Sequence, residues 1–141
     1  MKIIGFCVAI AALMFSLAPA DAASVEARIS LSSQRMYVSV NGARKYTWPV
    51  STARSGYRTP TGTFRPQRLE KMWHSTKYDN APMPHSVFFY GGYAIHGTNA
   101  VKSLGRPASH GCVRLAPGNA ATLYSLVSKY GMGNTRVVVT R

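Results

Sequence analysis

Asn41-Gly42 is the strongest local folding instruction in this chain. Both residue types accept the positive φ angles of a tight type I′ turn, and hairpins favour that pair above most others. The dipeptide lies between "RMYVSV" and "ARKYTWPVS", two runs in which apolar and polar residues alternate. Alternation with a period of two sends one face of a strand to a core and the other to water. "EARISLS" has the same pattern and is parted from the next run by Ser33-Gln34. Residues 26–51 are therefore predicted to form three consecutive antiparallel strands.

The rest of the chain continues this β-rich reading. In "YRTPTGTF" (57–64), Pro60 presets a turn and Gly62 takes a dihedral that other residues avoid. A strand over "TFRPQRL" is expected next. Residues 71–85, "KMWHSTKYDNAPMPH", have two prolines and no clear period, so they read as a long loop of the kind that often serves as a lid. "SVFFYGGYAIH" reads as two short strands around Gly91-Gly92, and "CVRL" as another. "NAATLYSLVSKYG" is the one good helix: Asn119 is placed to cap it, and Ala120, Leu123, Leu126, Val127 and Tyr130 follow helical spacing. Gly131 stops it, and "TRVVVTR" closes the chain as a strand. The expectation is a mainly β single domain, a sandwich or partly closed barrel, with one short helix.

The first 22 residues read as a signal peptide. Met1-Lys2 is followed by an apolar run over 3–17 and then Ala18-Pro19-Ala20-Asp21-Ala22-Ala23, which offers cleavage after Ala20 or Ala22. The run is shorter than the roughly 20 apolar residues of a membrane span, so no stable span is expected after cleavage; an uncleaved anchor helix is the alternative. Cleavage leaves roughly 120 residues, enough for one modest core. Removing residues 1–20 takes away only Lys2, so the net charge of +13 falls to about +12. With 17 Lys and Arg against 4 Asp and Glu, the chain favours polyanionic partners. Export argues against nucleic acid and for an anionic periplasm or cell envelope. The basic residues are scattered, not clustered as in a nuclear-type run.

Cleavage removes Cys7 and leaves Cys112 as the one remaining cysteine. A lone thiol in an oxidising compartment forms an intermolecular bond or is reactive. A metal site needs further ligands at close spacing, and only His110 is adjacent, with His85 and His96 elsewhere. Burial as a small apolar residue is the bland alternative, but Ser109, His110, Gly111 and Arg114 crowd the position. A cysteine nucleophile needs a base within hydrogen-bond reach and an orienting group for that base. His85, His96 and His110 are candidates, with His74 a weaker fourth. Gly111 allows close backbone approach, and N–H groups around Gly111 and Cys112 suit a tetrahedral oxyanion. Arg114 suits a carboxylate. Ser109 is equally able to cap a turn. Together these groups describe acyl transfer.

"HGT" at 96–98 with "LGRPASHGCVRL" at 104–115 resembles the catalytic signature of the L,D-transpeptidases. "TPTGTF" resembles an upstream turn of the same family, and the helix "NAATLYSLV" resembles the segment after its motif. The resemblance spans about residues 26–141. It implies a β-rich catalytic domain acting on peptidoglycan stem peptides, without metal or cofactor. Cys112 would attack the L-centre carbonyl of the third stem residue, typically diaminopimelate, and expel the terminal D-alanine. An amine on another stem or on an envelope protein would then take the acyl group. The resemblance makes His96 the base, oriented by the backbone carbonyl of Gly97, with Asp79 a rival orienter. It places His110 and Gly111 around the oxyanion and Arg114, Ser109, Trp73 and Tyr93 against substrate. Carbapenem-type inhibitors are expected to acylate Cys112. The loop between His96 and Ser109 is short for the family, and no separate wall-binding domain is apparent. An L,D-carboxypeptidase with water as acceptor and a non-catalytic basic wall-binding module are the alternatives. A papain-like protease fits neither the fold nor the position of the cysteine.

Overall fold

The computed structural model describes residues 23–141, so the signal peptide expected over residues 1–22 lies outside the described residues. β1 (Val25–Ser30), β2 (Arg35–Val40) and β3 (Ala43–Pro49) are the three antiparallel strands read from the alternating runs. Asn41 and Gly42 turn the β2–β3 hairpin with φ of 50° and 80°. Val25, Ala27 and Ile29 of β1 and Met36 and Val38 of β2 are fully buried, as the period-two pattern requires. β9 (Thr135–Thr140) lies parallel to β1, and the short β4 (Gly62–Phe64) closes that edge. The resulting sheet has the order β3-β2-β1-β9-β4.

A second sheet carries β5 (Arg68–His74), β6 (Pro82–Tyr90), β7 (Tyr93–Gly97) and β8 (Val113–Leu115) in that order. The helix α1 (Pro117–Tyr130) follows β8 directly. One core cluster joins Ile29 and Val38 of the first sheet, Phe89, Ile95 and Leu115 of the second, and Leu123 and Val127 of the helix. The fold is thus mainly β, two sheets and one α-helix around a shared core, with no closed barrel among the described residues. Among the described residues no helix is long and apolar enough to cross a membrane.

Three local expectations are corrected. Residues 71–85 are not a long loop: they are the end of β5, a turn, and the start of β6. Pro82 and Pro84 misled the reading. They face His74 and Met72 of β5, whereas β7 reaches only Val87–Tyr90 of β6, so the missing N–H groups fall where that strand has one neighbour. "TFRPQRL" is not one strand either; Pro66 separates β4 of one sheet from β5 of the other. The helix begins at Pro117, whose fixed φ suits its first position, with Ala116 as N-cap and no side-chain cap from Asn119.

Candidate active site

The site is assembled by the parallel pairing of β7 and β8, in which Ile95 lies opposite Val113, His96 opposite Arg114 and Gly97 opposite Leu115. Ile95, Val113 and Leu115 point into the core. Alternation then sends His96 and Arg114 to the other face, together with Cys112, which enters β8 two residues before Arg114. On this side Cys112 and Trp73 pack against a small cluster of Met83, Phe88 and Ala94. The register thus brings the cysteine and His96 from separate motifs to neighbouring strands on one face.

Backbone hydrogen bonds stitch the chain on both sides of Cys112 to residues 51–54. Arg114 N–H donates to Ser51 O at 2.9 Å, Ser109 N–H to Thr52 O at 2.9 Å and Arg54 N–H to Ser109 O at 2.9 Å. Gln34 ties the same stretch inward, its amide donating to Thr52 Oγ1 at 2.6 Å. Gly111 has φ of 137°, and a Cβ there would sit 2.7 Å from Tyr93 Cε1 and 2.9 Å from Arg58 O. Only glycine fits, for space and for dihedral alike.

His96 is 6 % exposed, and its Nδ1–H donates to Gly97 O at 2.7 Å. That bond fixes the tautomer and leaves Nε2 as a proton acceptor. Burial pulls its pKa down to about 4; the Gly97 bond opposes this and Arg114 adds to it. Burial pushes the Cys112 thiol up from its ordinary value, against smaller opposing effects of the Ala94 backbone and Arg114. At neutral pH the resting pair is therefore a neutral thiol and a neutral imidazole, not a preformed ion pair. The thiol sits 3.8 Å from Gly92 O. Arg114 is partly buried, with Nη1 3.4 Å from Ala108 O.

The other residues singled out by sequence have varied surroundings. Ser109 does not face substrate, contrary to expectation. It is fully buried, its hydroxyl donates to Cys112 O at 2.6 Å and it accepts Gly111 N–H at 3.0 Å. The Gly111 N–H is thereby occupied. The His110 ring lies between two tyrosines, stacked on Tyr78 at 4.1 Å and edge-on to Tyr57 at 4.7 Å. Tyr93 walls Gly111 and stacks on Tyr90 at 6.2 Å. Trp73 meets Phe88 edge-on, and the Arg68 guanidinium covers both rings. His85 instead packs against Tyr124 of α1, and His74 ends β5 on the exposed side. Asp79 is not the orienter of His96, whose Nδ1 is taken by Gly97; its charge acts on His110. Among the described residues no group of three His, Cys, Asp or Glu is placed to hold a metal ion.

Sequence reasoning missed Tyr57 and Thr59, and had Tyr78 only within the expected loop over 71–85. The tyrosines meet His110 only because two loops converge on it. Thr59 lay in view within "TPTGTF" but was read only as part of a turn. Its hydroxyl donates to Gly111 O at 2.7 Å and accepts Ala53 N–H at 3.1 Å.

A buried single-tautomer base, a thiol on the same sheet face, backbone donors and an arginine form a set able to perform acyl transfer. The family model described as the L,D-transpeptidase catalytic domain (YkuD) matches residues 24–139. The chain is 26% identical over 117 residues to YkuD of Bacillus subtilis (strain 168), a candidate L,D-transpeptidase, covering 80% of this chain and 64% of that one. It superposes on an L,D-transpeptidase from Mycobacterium smegmatis with a TM-score of 0.75 and 25% identity, covering 84% of this chain and 59% of that one. L,D-transpeptidase 3 from Mycobacterium tuberculosis, in complex with a faropenem-derived adduct, shares the fold with a TM-score of 0.72 and 22% identity, over 84% and 61% of the two chains. The chain thus spans less than two thirds of the length of each of these relatives.

Proposed function

Because this chain belongs to the L,D-transpeptidase catalytic domain family, we propose that it is a cysteine acyltransferase of peptidoglycan, acting in the cell envelope after export. The observation that carries this reading is the His96 tautomer. Its Nδ1–H bonds Gly97 O while Nε2 stays unprotonated on the face shared with Cys112.

In the proposed reaction the Cys112 sulfur attacks the L-centre carbonyl of the third residue of a tetrapeptide stem. His96 Nε2 takes the thiol proton as the S–C bond forms, so the thiol need not ionise beforehand. The carbonyl oxygen gains charge and is met by the Cys112 N–H. The C–N bond to the terminal D-alanine breaks, and His96 returns the proton to the leaving amine. A thioester remains. An acceptor amine then loses its proton to His96 as it attacks the thioester, and Cys112 leaves with that proton. Arg114, two residues from the nucleophile on the same face, holds a stem carboxylate. Trp73 and Tyr93 line the approach.

A β-lactam carbonyl offers the thiol a comparable target. The faropenem-derived adduct of the M. tuberculosis relative, which comes from a penem, supports including β-lactams of the penem type, and with them the related carbapenems, among the ligands. The test is D-alanine release from a disaccharide-tetrapeptide, with and without an amine acceptor. Release with a new amide product supports transfer. Release with only the free tripeptide assigns water as acceptor and makes the chain an L,D-carboxypeptidase. No release from folded, reduced protein overturns the reading and favours a wall-binding module.

A further inference from the structure

The Thr-Pro-Thr-Gly stretch at 59–62 is a motif that the reaction above does not use. Its first residue is nonetheless among the most enclosed polar side chains, 4 % exposed and far in sequence from the group it contacts. The Thr59 hydroxyl proton goes to Gly111 O at 2.7 Å, and its oxygen receives Ala53 N–H at 3.1 Å. The group it grips is one end of the peptide unit that joins Gly111 to Cys112.

That peptide unit is the critical one. In a planar trans peptide the C=O and the following N–H point in opposite directions. A hydroxyl that holds Gly111 O on one side therefore aims Cys112 N–H to the other. Ser109 engages two of the surrounding groups: its oxygen accepts Gly111 N–H at 3.0 Å and its proton goes to Cys112 O at 2.6 Å. Cys112 N–H has no acceptor among the described residues. Gly111, without a Cβ and at φ of 137°, does little to fix this peptide by its own preference. The restraint has to come from outside the motif, and Thr59 supplies it.

We propose that Thr59 is a positioning residue for acyl transfer: by holding Gly111 O it sets the orientation of Cys112 N–H, the donor that meets the developing oxyanion. The inference rests on the acyl-transfer reading above. It assigns the upstream Thr-Pro-Thr-Gly turn a part in the chemistry beyond redirecting the chain. Thr59 touches no reacting atom itself; it acts through the backbone.

The test compares Thr59→Val, which keeps the shape and removes the hydroxyl, with Thr59→Ser, which restores it. Two probes are applied to Cys112. Imipenem acylation, followed by intact mass, develops charge on a carbonyl oxygen. Iodoacetamide alkylation attacks a carbon and develops none there. The valine variant should acylate about 10- to 100-fold more slowly, somewhat less than the loss for deleting an oxyanion donor outright, with alkylation within about threefold of the unaltered protein. The serine variant should recover acylation to within about threefold. Thr59→Ala, which leaves room for a water beside Ala53 N–H, is the second variant should valine disturb folding, and it should lose acylation in the same way. Unchanged acylation in the valine or alanine variant, a parallel fall in alkylation, or a serine variant as slow as valine would each overturn the proposal. If the unaltered protein is alkylated but never acylated, the acyl-transfer reading itself fails, a result separate from these.

Discussion

Cys112 and His96 set the residue scale, and their electrostatics lead to predictions that differ from those of a preformed ion pair. Burial raises the thiol pKa, so iodoacetamide alkylation should be slower than for a free thiol at pH 7 and should still be rising with pH at 9. A plateau near neutrality would instead indicate a stabilised thiolate. Cys112→Ala should abolish acyl-enzyme formation. His96→Ala should slow acylation by roughly 10²–10⁴-fold, the usual share of a general base. If His110→Ala were far more damaging, the two histidines would be assigned backwards. Cys112 and His96 were readable from "HGT" and "SHGCVRL", because Cys and His are rare in this chain, and the fold brings both to one sheet face. The burial of Ser109 and the stacking of His110 were not legible. Each depends on residues 52–59 or on the turn over 75–81, which lie far away in sequence.

At the scale of elements, alternation and turn chemistry made β1, β2, β3, β7, β8 and β9 readable, since each is short, periodic and bounded by Gly or polar residues. Most of β5 and the first half of β6 were hidden by Pro82 and Pro84, because a sequence does not reveal that a strand outruns its neighbour, whereas "SVFFY" was readable as the second half of β6. The hairpin they form brings Tyr78 onto His110, so it is a strand pair reaching over the motif, not an open loop. The β8 entry tolerates no side chain at Gly111, where Arg58 O is backbone and has little freedom to yield. Gly111→Ala should destabilise the domain by about 2 kcal/mol or more and slow acylation in the folded fraction. Thermal unfolding and intact mass would measure the two effects. A variant with unchanged stability and rate would contradict this account of the loop.

For the whole molecule, charge and pH are the relevant variables. Arg28, Arg35 and Arg44 line the solvent face of the five-stranded sheet, where Glu26 bridges Arg28 and Arg136 at 3.2 and 3.4 Å. With a net charge of +13, sedimentation with purified sacculi should weaken as salt rises; salt-independent binding would exclude charge as its cause. His96 is held well below its ordinary pKa of 6.5, at about 4, so folding excludes its proton. Its stabilising contribution is complete above pH 6.5 and is lost as pH falls toward 4, by roughly 3 kcal/mol in all. Denaturant midpoints measured from pH 7 to 4 should show this loss, reduced in His96→Asn. The most direct test of the central claim is intact-mass spectrometry of the protein after incubation with a disaccharide-tetrapeptide, beside Cys112→Ala. The account predicts a mass gain equal to the donor minus D-alanine in the unaltered protein and none in the variant. A folded, reduced protein that gains no mass and releases no D-alanine, or a variant that gains the same mass, would contradict it.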